Sequence, residues 1–217
     1  MAPAIDFYWD IGSTNTYFAL HLIQPIAKRH GATIRYQPYN LGYVFRRHNY
    51  VLMEEPREKL SNRRRDLARW AALHNLPFRM PDEFPIKTSR VLRGAIAMRE
   101  HGLEEAFMDA VFAAYWERND ASIAGYEGLR PIAESLGVSA DAFEQACEAE
   151  TTRAALIEST DHGLEIGVFG APTFVIEGEV YWAKTASNSS MPTWPGTRRC
   201  HLAAADACCG DLPARRP

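Results

Sequence analysis

The chain has 217 residues, of which 47% are hydrophobic and 24% charged, enough apolar sequence for one sizeable core. Its formal net charge is -3, and no basic stretch is interleaved with aromatic residues, so we expect no nucleic-acid partner. The sequence has no signal-peptide pattern and no run of about 18 apolar residues, so we expect no membrane segment and a cytoplasmic location.

The first elements in chain order predict a β-α-β unit. Residues 5–11 are typical of a buried strand, and residues 14–30 have apolar side chains at helical spacing. Gly31 ends this helix as a C-terminal cap would. Residues 32–39 predict a second strand, parallel to the first because right-handed crossovers are the default.

The middle of the chain predicts a series of helices, three of which end at Gly102, Gly137 and Gly167. The amphipathic runs cover residues 58–75, 89–102, 103–119, 126–137, 139–149 and 150–167. Residues 171–183 then return to β-rich sequence, with a hairpin turn at Glu177-Gly178-Glu179.

This order predicts an α/β chain with a thioredoxin-like fold. We expect a thioredoxin-like domain from residues 1–45 and 150–183, with a helical domain, 46–149, inserted between its βαβ and αββ halves. A trans proline that opens a strand is the simpler interpretation of Pro172, but the thioredoxin-like order favours a cis peptide bond there.

The turn between the first strand and helix contains a serine where thioredoxin-like oxidoreductases have a Cys-x-x-Cys pair. The corresponding residues here are Ser13-Thr14-Asn15-Thr16, which excludes dithiol-disulfide exchange at this position. A serine hydroxyl can instead donate a hydrogen bond to a thiolate of a bound molecule and so lower that thiol's pKa. The alternative is an ordinary N-terminal cap.

The four cysteines, Cys147, Cys200, Cys208 and Cys209, have no metal-ligand spacing, and three of them fall in the last eighteen residues. We therefore expect no metal site and no catalytic role for these thiols.

Three blocks of sequence carry a resemblance. DFYWDIGSTNTYFAL, RDLARWAALHNLPFRMPDEFP and GVFGAPTFVIEGEVYW resemble the 2-hydroxychromene-2-carboxylate isomerase family, relatives of kappa-class glutathione transferases in the DsbA-like thioredoxin superfamily. The resemblance covers roughly residues 5–182. It implies glutathione as cofactor, a small aromatic substrate and a cis-trans isomerisation in aromatic-compound catabolism. It also implies that Ser13 is catalytic and activates the glutathione thiol.

The resemblance implies further site residues. For glutathione these are Asn49, Lys59, Ala171 and Pro172, with Arg46 or Arg47 for its carboxylates, and for the substrate they are Arg46, Arg47, Trp70 and Lys87. Arg46, Arg47 and Asn49 fall in LGYVFRRHNYV, which we interpret as a loop, and a solvated loop is the alternative to a binding role. Trp70 is equally typical of a core or pocket wall. Lys87 replaces an asparagine that is usual in the family, and Thr14 replaces a proline.

Residues 183–217 depart from the family pattern, which has Gly-x-Asp-Arg and a long amphipathic helix after Trp182. With GC-rich codons, one G inserted after the Trp182 codon makes the following codons read Gly-Gln-Asp-Arg-Leu-Glu-Leu-Leu-Asp-Ala-Tyr-Leu-Ala-Arg-His. We therefore interpret 184–217 as an atypical, frameshifted tail in place of the final helix, and expect disorder there.

Three functions remain open from the sequence: the glutathione-dependent isomerase, a kappa-like glutathione transferase that leaves glutathione on its product, and a non-catalytic binding module in which Ser13 is only a cap. The oligomeric state is open too, a homodimer included.

Overall fold

A computed structural model describes residues 3–51 and 54–183. The strands are β1 (Ala4–Trp9), β2 (Thr33–Pro38), β3 (Thr173–Ile176) and β4 (Glu179–Trp182). The helices are α1 (Thr14–His30), α2 (Leu41–Arg47), α3 (Arg57–His74), α4 (Ser89–Arg99), α5 (Glu104–Trp116), α6 (Tyr126–Ser135), α7 (Ala140–Glu148) and α8 (Glu150–Glu165), with one 3-10 turn at Ala121–Ala124.

The four strands form one mixed sheet in the order β2-β1-β3-β4. Strand β1 pairs in parallel with β2 and antiparallel with β3, so Phe7 lies between Tyr36 and Phe174 in the register. The predicted hairpin is confirmed, because β3 and β4 are antiparallel and joined at Glu177 and Gly178, both with positive φ. The predicted thioredoxin-like α/β fold is therefore confirmed.

Helix α1 has the bounds that the sequence predicts. Gly31, at φ 61°, adopts the left-handed conformation, and its N–H donates to the carbonyls of Ala27 and Lys28. Because β1 ends at Trp9 and α1 begins at Thr14, the chain turns sharply through Ser13. The hydroxyl of this residue is thus placed at the end of the central strand.

The interpretation of residues 41–51 as a loop is wrong for 41–47, which form α2. The side chain of Asn40 accepts a hydrogen bond from the Tyr43 N–H and caps the helix. Leu41 and Val44 bury its apolar side against Tyr8 and neighbouring residues. This helix is only seven residues long, so the periodic signal was too short to detect.

The two faces of the sheet are covered differently. Phe7 and Trp9 are fully buried in a large cluster that also contains residues of α1, α4 and α5. On the other face, Tyr8 packs with Tyr39 and Val168 in a smaller cluster. Residues from both predicted domains share the large cluster, and the domain boundaries themselves stay a prediction.

Within the described residues, no helix is long and apolar enough to cross a membrane. The expectation of a frameshifted tail at 184–217 lies outside the described residues.

Candidate functional site

A cleft of about 660 Å³ opens at the carboxyl end of β1, between the turn before α1, the helix α3 and the segment before β3. Its lining includes Gly12, Ser13, His48, Tyr50, Glu55, Lys59, Arg63, Arg64, Asp82, Phe84, Phe169, Gly170, Ala171 and Trp182. The cleft therefore brings together the first strand-to-helix turn and the entrance to the last hairpin, which are distant in sequence.

Ser13 is the residue at the base of this cleft. It precedes α1 in extended conformation (φ -99°, ψ 119°), as an N-terminal cap does. Among the described residues its side chain makes no capping bond to the helix; instead, Oγ donates to the Ala171 carbonyl oxygen at 2.8 Å. The simple capping interpretation of the side chain is therefore wrong; Ser13 and its acceptor residue Ala171 both line the cleft.

The segment that carries Ala171 has the predicted cis peptide bond between Ala171 and Pro172. A second cis bond, Phe84-Pro85, was not predicted, and Phe84 also lines the cleft. Tyr39 donates from its hydroxyl to the Val168 carbonyl at 2.6 Å, which ties this segment to the second face of the sheet. The Ala171 carbonyl is thus held by buried structure on one side and by Ser13 on the other.

Below Ser13, the carboxylate of Asp10 joins three segments. Its Oδ1 accepts from the Gly12 N–H at 2.8 Å, and its Oδ2 accepts from the Leu41 N–H at 2.9 Å and the Thr88 hydroxyl at 3.1 Å. Burial raises the pKa of Asp10 to about 6, although these hydrogen bonds act in the opposite direction. Asp10 fixes the turn on which Ser13 sits.

One wall of the cleft carries most of its charge. The Glu55 carboxylate accepts from the Tyr50 hydroxyl at 2.8 Å and pairs with Lys59 at 3.0 Å and with Arg63. Burial raises the pKa of Glu55, but the hydrogen bonds from Lys59 and Tyr50 and the positive charges of Arg63 and Lys59 outweigh it, so the pKa is lowered. The carboxylate is therefore ionised at neutral pH and holds the two cations beside the cleft.

Phe169 and Trp182 form an aromatic rim of the cleft. Phe169 and Trp182 are 55% and 52% exposed, and their ring centroids lie 5.2 Å apart. The indole of Trp182 packs closely over Gly170. A Cβ on this glycine would lie only 3.1 Å from the indole Nε1. Exposed aromatic faces beside a polar cleft can stack on a planar ligand.

The predicted site residues are distributed unevenly around this geometry. Ser13, Lys59 and Ala171 line the cleft, whereas the other predicted residues are not among the described residues that line it. Asn49 is exposed, in left-handed conformation (φ 52°), between His48 and Tyr50, which do line the cleft. The roles of all these residues stay predictions.

The remaining predicted residues have other neighbours. Arg47 pairs with Asp161 of α8 at 3.6 Å, and Arg46 and Lys87 are exposed. Trp70 packs against the large core cluster, with its ring centroid 6.4 Å from that of Phe18. Pro172 is buried behind Ala171.

Sequence reasoning missed Asp10 and Glu55. A signal existed for Asp10, since a carboxylate at the end of an apolar strand and just before a Gly-Ser turn is an unusual buried position. For Glu55 the i,i+4 spacing to Lys59 was a local signal of an ion pair. Its contacts with Tyr50 and Arg63 had no comparable signal, because they depend on how the segment before α3 packs against that helix.

Cys147 does not line the cleft in the described part of the chain. In residues 3–51 and 54–183, no group of three or more His, Cys, Asp or Glu side chains could hold a metal ion. Cys147 is buried, away from the cleft, and burial raises the pKa of its thiol to about 12.

A family model described as a DSBA-like thioredoxin domain matches residues 4–204. The chain belongs to this family. Two relatives named 2-hydroxychromene-2-carboxylate isomerase are similar to it. The one from Sphingobium xenophagum is 27% identical over 191 residues, 84% of this chain and 93% of that protein. The one from Pseudomonas sp. strain C18 is 29% identical over 189 residues, 82% of this chain and 84% of that protein.

Solved structures give the same result. A structure of 2-hydroxychromene-2-carboxylate isomerase superposes with a TM-score of 0.74 at 28% identity and covers 84% of this chain and 90% of the other. The predicted resemblance to this isomerase family is confirmed by these relatives.

Two further matches have glutathione in their names. Glutathione S-transferase kappa 1 of Caenorhabditis elegans is 24% identical over 215 residues, 93% of this chain and 89% of that protein. The cytosolic disulfide reductase DsbM from Pseudomonas aeruginosa, solved with GSH, shares the fold with a TM-score of 0.60 at 20% identity, covering 82% of this chain and 88% of that chain.

Proposed function

We propose that this DsbA-like protein is a glutathione-dependent cis-trans isomerase that acts on 2-hydroxychromene-2-carboxylate or a similar aromatic carboxylate. The observation that carries the proposal is the Ser13 hydroxyl, which lies in the cleft at the start of α1 and bonds the carbonyl before the cis proline. The names of the most similar relatives support the reaction class.

The residues of the cleft fit glutathione. Its carboxylates are complementary to Lys59, Arg63 and Arg64, the cations that line one wall. The Ala171 carbonyl can accept from a peptide N–H of the tripeptide, and the Ser13 hydroxyl can donate to its sulfur. GSH in the related reductase, and the kappa transferase among the relatives, support this fit.

When bound, glutathione supplies a thiolate that adds to a conjugated carbon of the substrate and leaves again after bond rotation. When the cleft contains no sulfur anion, the Ser13 hydroxyl donates its hydrogen bond to the Ala171 carbonyl oxygen. A peptide N–H that occupied the Ala171 carbonyl would compete with Ser13 for this acceptor, and rotation about the Cβ–Oγ bond would direct the hydroxyl proton to the sulfur. The start of α1 adds the positive end of its helix dipole.

The substrate end of the cleft also fits. Phe169 and Trp182 can stack on a planar ring, and His48 lies on the lining of the same cleft. The cationic wall favours a carboxylate on that ring. These residues bind and orient, while Ser13 stabilises the sulfur anion.

The experiment is a cis-trans isomerisation assay with the purified protein and 2-hydroxychromene-2-carboxylate, with and without glutathione. We expect conversion that requires glutathione and returns it unconsumed, and a loss on the order of 10²-fold in kcat for Ser13→Ala. Conversion that proceeds equally without glutathione would contradict the proposal.

A kappa-like glutathione transferase is the second candidate, because the Caenorhabditis elegans relative aligns over 93% of this chain. Mass spectrometry of the product separates the two, since a transferase leaves glutathione attached and an isomerase does not. If glutathione does not bind even at millimolar concentration, a non-catalytic binding module is the better description.

A further inference from the structure

The anionic residue on the cationic wall has an unusual setting. Three donors, Tyr50, Lys59 and Arg63, converge on the two oxygens of Glu55, and all four residues line the cleft. The Glu55 side chain is only 9% exposed, although it lies in the wall of a cleft of about 660 Å³. The Glu55 carboxylate therefore already accepts the charge-assisted hydrogen bonds of Lys59 and Arg63.

The two cations keep capacity for a second partner. Lys59 is 63% exposed and Arg63 34% exposed. An ammonium has three donors and a guanidinium five, more than the contacts to Glu55 use. A ligand carboxylate that approaches these two cations also approaches the negative charge of Glu55, which is paired with both of them.

The net charge of the cleft lining is small for this reason. Lys59, Arg63 and Arg64 supply three positive charges, and Glu55 and Asp82 supply two negative charges. Asp82 is paired outside this group, with Arg79 at 3.0 Å. Without the Glu55 charge, Asp82 would be the remaining acidic residue of the described cleft lining, and its carboxylate is paired with Arg79.

We propose that Glu55 is an internal competitor for the carboxylate of the ligand: it holds Lys59 and Arg63 in the cleft, and a bound carboxylate displaces it from them. This inference rests on the proposed function for the nature of the cleft and adds the residue that sets its selectivity. Ligands with two carboxylates displace Glu55 more readily than ligands with one, since both cations can then be paired at once. An uncharged ligand gains nothing from its displacement.

The test is a set of calorimetric titrations with Glu55→Gln, Glu55→Ala and the wild type. The ligands are glutathione, o-phthalate as a planar aromatic dicarboxylate, and dimethyl phthalate as its uncharged analogue. We expect both variants to bind glutathione and o-phthalate roughly threefold to tenfold more tightly than the wild type, with a steeper salt dependence, and dimethyl phthalate equally. A merely structural role of Glu55 has the opposite sign, because Lys59 and Arg63 would lose their position and anions would bind less tightly.

Glu54→Gln is the matched control, because it removes the same charge from the neighbouring exposed residue, which is not among the described residues of the cleft lining. We expect its effect on o-phthalate to be less than twofold. Urea denaturation of each variant confirms that it is folded at the titration temperature.

The outcomes separate the two proposals. If glutathione does not bind but o-phthalate binds more tightly to Glu55→Gln, the proposed function fails and the role of Glu55 stands. If o-phthalate binds no variant more tightly than the wild type, or binds none at all, the role of Glu55 is overturned whatever glutathione does.

Discussion

The hydroxyl of Ser13 donates to the carbonyl oxygen of Ala171 at 2.8 Å and joins two segments 158 residues apart in sequence. One partner ends the turn before α1, and the other immediately precedes the cis proline. Both residues line the cleft, so the bond keeps a polar hydrogen where an anion is expected to bind.

The first prediction concerns the titration of Asp10, whose pKa is raised from 3.8 to about 6 by burial. Because the folded state binds this proton more tightly than the unfolded chain, the contribution of Asp10 to stability falls as pH rises between these two values. The fall is on the order of 3 kcal/mol. Urea denaturation of the wild type and Asp10→Asn at several pH values between 4 and 7 measures it.

As pH rises from 3.8 to about 6, the free energy of unfolding of the wild type should fall relative to that of Asp10→Asn. Hydrogen bonds lost in the variant lower its stability by an amount that does not change with pH, so they do not affect this trend. Asp141→Asn, at an exposed position, serves as the control for removal of one charge. A difference between the wild type and Asp10→Asn that does not change with pH would contradict the account.

The second prediction concerns the close contact of α8 with the sheet at Gly163. A Cβ there would lie 2.8 Å from a ring carbon of Tyr39 and 2.9 Å from one of Tyr8, so Gly163→Ala should destabilise the fold by about 1–3 kcal/mol. In α2, a Cβ on Gly42 would meet its nearest atom at 3.4 Å, an ordinary contact. Gly42→Ala should therefore be neutral or stabilising by up to about 1 kcal/mol.

Chemical denaturation of both alanine variants checks this pair. Because Tyr39 also bonds the Val168 carbonyl at 2.6 Å, we expect Gly163→Ala to weaken glutathione binding as well. Equal stability of the two variants would show that α8 moves away from the tyrosines at no cost.

The third prediction concerns the aromatic rim. Trp182→Ala removes one face of the Phe169–Trp182 pair, so the KM for the aromatic substrate should rise about threefold to tenfold with kcat nearly unchanged. Leu73→Ala, at a side chain that is 73% exposed, is the control for loss of an exposed apolar residue. A fall in kcat at constant KM would instead place Trp182 in the chemical step.

The fourth prediction concerns the reading frame after Trp182. The genomic sequence should contain codons that yield Gly-Gln-Asp-Arg one frame away, and a variant with one G inserted there should bind glutathione more tightly. Codons that cannot give Gly-x-Asp-Arg in the neighbouring frame would end this interpretation. Reading these codons requires no information about the structure of residues 3–51 and 54–183.

Local signals explain what the sequence could predict. The bounds of α1 follow from a serine before it and Gly31 after it, and the hairpin follows from Glu177-Gly178 between two β-rich runs. Prediction of the cis bond before Pro172 required the thioredoxin-like order of elements, because X-Pro bonds in general favour the trans form.

Non-local packing explains what the sequence could not predict. The direction of the Ser13 hydroxyl depends on a carbonyl from the other half of the fold, so capping was the simpler expectation. Arg47 is paired with Asp161 of α8, which no pattern near either residue indicates. The i,i+4 pair of Glu55 and Lys59 is a local contact, but Tyr50 and Arg63 reach the same carboxylate only because the segment before α3 packs against the first turns of that helix.

The central claim is that Ser13 stabilises a glutathione thiolate, and an ultraviolet titration of the bound thiol tests it most directly. The absorbance of the thiolate is followed against pH for glutathione bound to the wild type and to Ser13→Ala, with Ser135→Ala, a distant exposed serine, as the control. The account predicts a higher apparent thiol pKa in Ser13→Ala than in the wild type and the control. An unchanged thiol pKa would contradict it.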